Sequence, residues 1–249
     1  MRRPLTTLVI GFWLAGGAAA VGQSTAFAPD FRDLGLGLNA ATLSTDGYDT
    51  FACGADGGQS LKPLKGWRDF AECARDASGL HEVAVEFGLE DKLLADQYRE
   101  QYHEEAWFAS RAGTQVAGFP VVMSLLFDDQ GISRGFRTVT DPRAGGEARA
   151  RAFLMRDRLK PRFDMATATD CTSRPPSPGQ TGVGAVFVNE RCEKVIGGKR
   201  IVVETHLFRR PGQTGFNANG IEVAGEYESL TRWEVWDEAY RRAAPGQRP

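Results

Sequence analysis

Four cysteines constrain this chain more than any other feature. They form two close couples far apart in the sequence, Cys53 with Cys73 and Cys171 with Cys192. Four cysteines allow three connectivities. Pairing within each couple is the expected one, because each brackets a stretch that reads as a hairpin. Neither couple has the C-x-x-C spacing of a redox centre or zinc knuckle, and no histidine lies close in sequence, so no metal site is expected. A bridge closing a loop of about 20 residues contributes about 3 kcal/mol, chiefly by restricting the unfolded chain. Bridges of this kind persist where thiols oxidise, which points outside the cytoplasm.

The N-terminus agrees. Met1-Arg2-Arg3 is basic, Leu5 to Val21 is apolar or small apart from two threonines, and small residues follow, including Ala26-Phe27-Ala28. This is the layout of a secretory signal peptide over residues 1–28, with cleavage after Ala28 or after Ala20. The competing account is an uncleaved anchor, but the run is close to the minimum of about 17 residues for a spanning helix and its second half is rich in Gly and Ala. No stable membrane insertion is expected once the signal is removed. Removal also takes Arg2 and Arg3, moving the formal net charge from −2 to −4. That balance gives no general attraction for nucleic acid or anionic lipid. A periplasmic or secreted protein is the expectation.

The remaining chain carries an internal echo. After Cys73 come five residues, Gly79, three residues and the strand-like Val83-Ala84-Val85. After Cys192 come five residues, Gly198, three residues and Val202-Val203. Strand-like runs (YDTFAC, MATATDC) lead into the first cysteine of each couple, and helix-compatible segments precede them: Leu36 to Leu43, and Glu147 to Phe163 with Ala148, Ala152, Met155 and Leu159 on one stripe. The echo reads as a duplication, with chance similarity as the alternative. Between the copies lie a charged amphipathic helix, Leu89 to Glu105, and three strands within Thr114 to Thr140 folded about the turn Asp128-Asp129-Gln130-Gly131. The expected fold is α+β: antiparallel sheets with packed helices, in two repeated helix-plus-strands modules. Residues 29–143 form the first module with a central strand insertion, residues 144–240 the second, and residues 241–249 a disordered tail.

This order, carried by Cys53/Cys73/Gly79 and Cys171/Cys192/Gly198, resembles the tandem-repeat β-lactamase inhibitory protein and the single modules of BamE-type (SmpA/OmlA) outer-membrane assembly lipoproteins. The resemblance is architectural and covers about half of the chain, without a diagnostic motif. The chain departs from it in length, in the central insertion and in lacking a lipidated cysteine. It implies an exported binding or envelope-associated module and transfers no functional residue.

Motifs for chemistry are sparse. His81, His103 and His206 lie in different elements, and no HExxH, G-x-S-x-G or calcium loop occurs. Asp128-Asp129 reads as a solvated turn, and Gly35-Leu36-Gly37 lacks what a dinucleotide fingerprint needs. No catalytic residue and no cofactor is expected. In the two long C-terminal strands, Ile201, Val203, Thr205 and Leu207 alternate with Val202, Glu204, His206 and Phe208. Val223, Tyr227, Trp233 and Val235 alternate with Glu226, Glu228, Leu230, Arg232, Glu234 and Trp236. The second sets mix charge with large apolar groups, so His206, Phe208, Leu230, Arg232 and Trp236 are the candidate binding residues. The alternative is that a loop or the C-terminal tail covers them. The function expected is a non-catalytic binding or envelope-associated role with an envelope protein as partner; a periplasmic hydrolase with a dispersed site is the alternative.

Overall fold

The computed structural model describes residues 34–87, 114–213, 219, 221 and 227–243. The signal segment, the helix expected over Leu89 to Glu105, His103, and most of the loop before Tyr227 lie outside them. Among the described residues the strands are β1 (Tyr48–Ala55), β2 (Gly58–Leu64), β3 (His81–Phe87), β4 (Gln115–Val116), β5 (Phe119–Phe127), β6 (Ser133–Thr140), β7 (Cys171–Ser173), β8 (Val188–Ile196), β9 (Lys199–Phe208) and β10 (Glu228–Asp237). The helices are α1 (Gly146–Ala150), α2 (Met155–Arg162), α3 (Thr167–Asp170) and α4 (Glu238–Ala243), with 3-10 turns at Trp67–Glu72 and Ala152–Leu154.

The strands form one antiparallel sheet in the order β2-β1-β3-β5-β6-β10-β9-β8-β7, with β4 paired to the start of β5. This corrects the α+β expectation of packed helices. The molecule is mainly β, and its longest described helix, α2, has eight residues. None of them is long and apolar enough to cross a membrane.

Three local corrections have clear causes. Residues 36–43 are turns rather than a helix, because their backbone is drawn onto the β5–β6 turn: Gly37 N–H donates to the Ser133 carbonyl and Ala40 N–H to that of Gly131, both at 2.8 Å. The helix expected over Glu147 to Phe163 breaks at Ala152. The hydroxyls of Ser229 and Thr231 on β10 donate to the Ala150 and Ala152 carbonyls, holding the chain flat on the sheet. In MATATDC the middle residues form one helical turn, capped by Asp170, whose carboxylate accepts the Ala166 N–H at 2.7 Å.

Other expectations stand. Asp128 and Gly131 form the β5–β6 turn, with the Asp128 carboxylate accepting the N–H groups of Gln130 and Ile132 at 3.0 Å; only Asp129 of the pair is solvated, since Asp128 is buried and held by Arg134 at 2.8 Å. Both disulfides form within their couples. Cys171 and Cys192 face each other across β7 and β8, whereas Cys73 closes the 3-10 turn after β2. Gly79 and Gly198 both take positive φ just before a strand. β6 pairs with β10, so strands from both sides of residue 143 belong to one sheet.

One face of the sheet carries the main core. Phe51, Val83, Val85, Met123, Leu125, Phe136, Val203, Trp233 and Val235 are buried there beneath Trp67, Met155, Leu159 and Phe163. Each such side chain contributes about 1.5–3 kcal/mol by leaving water. The alternation read in β9 and β10 assigns this face correctly.

Candidate functional site

The opposite face is also covered, and by charge as much as by apolar surface. Its cover begins in the β1–β2 hairpin. Asp56 and Gly57 both have positive φ, 54° and 91°, which is the two-residue turn that an Asp-Gly pair favours. A register shift between Ala52 and Gly54 bends β1, and the hairpin tip reaches over the sheet to β6 and β10. Gly57 rests on Val139 so closely that a Cβ would lie 2.3 Å from a Val139 methyl.

Beneath the tip lies Arg137 of β6, only 1% exposed. Its guanidinium donates to Glu234 at 2.7 Å, Glu82 at 2.8 Å and Asp76 at 3.2 Å, and lies 3.3 Å from Asp56. Burial opposes its charge, but Glu82 and Glu234 more than reverse that and hold its pKa above the ordinary arginine value. Burial alone would raise the Glu234 carboxyl; Arg137 and Arg232 outweigh it and hold the group below its ordinary range. Gly54 makes room for the network, since a Cβ there would fall 2.1 Å from the Glu82 Cγ.

Arg232 of β10 links this network to the surface. It donates to the Asp56 carboxylate at 2.7 Å, to the Asp56 carbonyl at 2.8 Å and to Glu234 at 3.0 Å. Beside it opens a cleft of about 350 Å³ between the hairpin tip, the end of β6, α1 and the start of β10. Val139, Pro142, Ala152 and Leu230 give it apolar walls, Tyr227 an aromatic one, and Arg149 an exposed cation.

The structure divides the five candidate binding residues. Leu230 and Arg232 line the cleft. His206 is half-buried on β9, 3.9 Å from Glu228, and burial first of all pulls its pKa below the ordinary histidine value. Phe208 is 4% exposed and stacks on Phe187 at 5.5 Å. Trp236 is 1% exposed. It packs with Leu80, Leu126 and Val202 under Tyr240, donates its indole N–H to Glu234 at 3.0 Å, and has the Arg241 guanidinium 4.9 Å from its ring. Arg241, expected in a disordered tail, belongs to α4 and helps form this cover. Phe208 and Trp236 are therefore packing residues.

Asp56, Val139, Arg149 and Tyr227 escaped the sequence reading. The Asp56-Gly57-Gly58 turn signal was available for the first; nothing in the local pattern marks the others. Cys171, Cys192 and Glu190 bring three ligand atoms within 4.8 Å, but the two sulfurs are bonded to each other and offer no thiolate. Set against protein-family models, curated proteins and solved structures, the chain matches none of them.

Proposed function

We propose that this is an exported, non-catalytic binding module of the cell envelope, periplasmic or secreted, which holds its ligand at the first half of β10. The observation that carries the reading is the cleft, which joins apolar walls from three elements to a few fixed polar groups, the composition common to ligand sites. Its polar floor is rigid, because Arg232 is fixed by Asp56 and Glu234. The two disulfides support an oxidising compartment. Contact, not catalysis, suits the lining: the Ser229 hydroxyl donates to the Ala150 carbonyl, and none of the described cleft residues is a histidine or cysteine.

The test is titration of the mature protein with the uncharged fluorophore N-phenyl-1-naphthylamine. Saturable binding at one site per chain is expected, weakened several-fold by Leu230→Ser at unchanged melting temperature. Binding that is absent, or indifferent to Leu230, would remove the cleft as the ligand site.

A further inference from the structure

The charges around the cleft are not evenly matched, and the mismatch selects a class of ligand. Each carboxylate that lines it among the described residues has an arginine of its own. Asp56 is held by Arg232. Asp141 takes the guanidinium of Arg143 in a two-pronged contact, at 2.9 Å from Nε and 2.7 Å from Nη2. Glu228 pairs with Arg210. Arg149 stands outside this scheme. It lines the cleft from α1, its side chain is exposed, and among the described residues it makes no ion pair.

An arginine presents five N–H donors in a planar fork that fits carboxylate, sulfonate or phosphate oxygens. With the acids of the cleft already satisfied, a cationic ligand would find no free carboxylate among the described residues and would meet Arg149 as a like charge. An anion would find a donor set with no competitor. The rest of the wall is apolar or aromatic, so the ligand needs a hydrophobic body beside its charged head. The volume of about 350 Å³ lies at the small end of the ligand-site range, which fits a small molecule and not a folded partner.

We infer that the cleft takes a small amphipathic anion, its apolar body against Val139, Tyr227 and Leu230 and its acidic head on Arg149. This rests on the reading of the cleft as the binding site and adds the sign of the ligand's charge. Affinity for the anion falls as salt is added, because Arg149 is open to solvent and its attraction is screened.

Two fluorophores that differ by one charge separate the claims: 8-anilinonaphthalene-1-sulfonate, and its uncharged counterpart N-phenyl-1-naphthylamine. At low ionic strength the sulfonate should bind about tenfold more tightly, the difference one charge-assisted hydrogen bond supplies. Arg149→Ala should erase that preference and leave the neutral probe unchanged, and Arg149→Lys should restore most of it. Arg149 touches no other described side chain through an ion pair, so these variants should fold as the parent does. Equal binding of the two probes, or a preference that survives Arg149→Ala, overturns the inference and leaves the cleft standing as an apolar site. Failure of both probes to bind overturns the site itself.

Discussion

Replacing Arg137 by methionine keeps most of the side-chain volume and removes one charge from the centre of a buried cluster. Glu82 and Glu234, each within 2.8 Å of the guanidinium, would be left almost fully enclosed without their main counter-charge. Removing one partner of a buried ion pair costs about 3–5 kcal/mol, because the charge left behind is desolvated and unpaired. With a urea m-value of about 2 kcal/mol/M for a chain of this size, the denaturation midpoint at pH 7 should fall by about 2 M. The loss should depend on pH, with a sign that follows from Glu234. Its folded pKa is depressed in the parent, so it contributes stability that is present above the unfolded value of about 4.3 and is lost as pH falls through the lower folded value. The Arg137→Met variant lacks the part of that contribution that Arg137 supplies. The gap between the two proteins is therefore widest near neutrality and narrows below about pH 4.3. Adding Glu82→Gln and Glu234→Gln to Arg137→Met should recover part of the loss at pH 7. Urea titrations at pH 7 and pH 4 decide the matter. A loss under about 1 kcal/mol at pH 7, the range of an exposed pair, or one equal at both pH values, would refute the account of this network.

Three further outcomes follow from the packing. Trp236→Ala should destabilise the fold by about 3–5 kcal/mol, as removal of an enclosed indole does, and differential scanning calorimetry would show it. Gly135→Ala would put a methyl 2.9 Å from the Trp236 ring and 3.1 Å from a Leu126 methyl; a cost of about 1–3 kcal/mol is expected, and it should shrink in a Trp236→Phe background. Non-reducing peptide mapping should recover Cys171 linked to Cys192 and Cys53 to Cys73, and removing either bridge should cost about 3 kcal/mol in chemical denaturation.

Strand pairing and the inward face were largely legible. The apolar run from Val121 to Phe127 reads as a strand, Asp128 and Gly131 announce its turn, and the alternation of Ile201, Val203, Trp233 and Val235 marks the core side. Period-two alternation says which residues share a face, but not what lies over that face. Trp236 and Phe208 were open to misreading for that reason: α4 folds back over Trp236 directly after β10, and the loop bearing Phe187 covers Phe208 from ahead of β8. The helices were misjudged through competition for backbone groups. Ser229 and Thr231 claim carbonyls at Ala150 and Ala152 from more than seventy residues away, and no local pattern around Glu147 signals it. Arg137 sits in the run ISRGFRTVT as though on an ordinary polar position. Its burial is set by Asp56, Glu82 and Glu234, on three other strands or turns.

The position of the second disulfide bears on when this sheet is completed. β7 holds its place at the rim through three register positions, Cys171 to Cys192, Thr172 to Arg191 and Ser173 to Glu190. A ladder that short is weak without support, and the covalent bond lies within it. While the thiols remain free, the nine-residue β8 is in effect the outermost strand, with a row of unpaired amides and carbonyls that another chain can adopt. Oxidation lays β7 down and closes that row. Maturation of this molecule is then a contest between thiol oxidation and strand capture by a neighbour, and a fast oxidant guards its solubility as well as its stability.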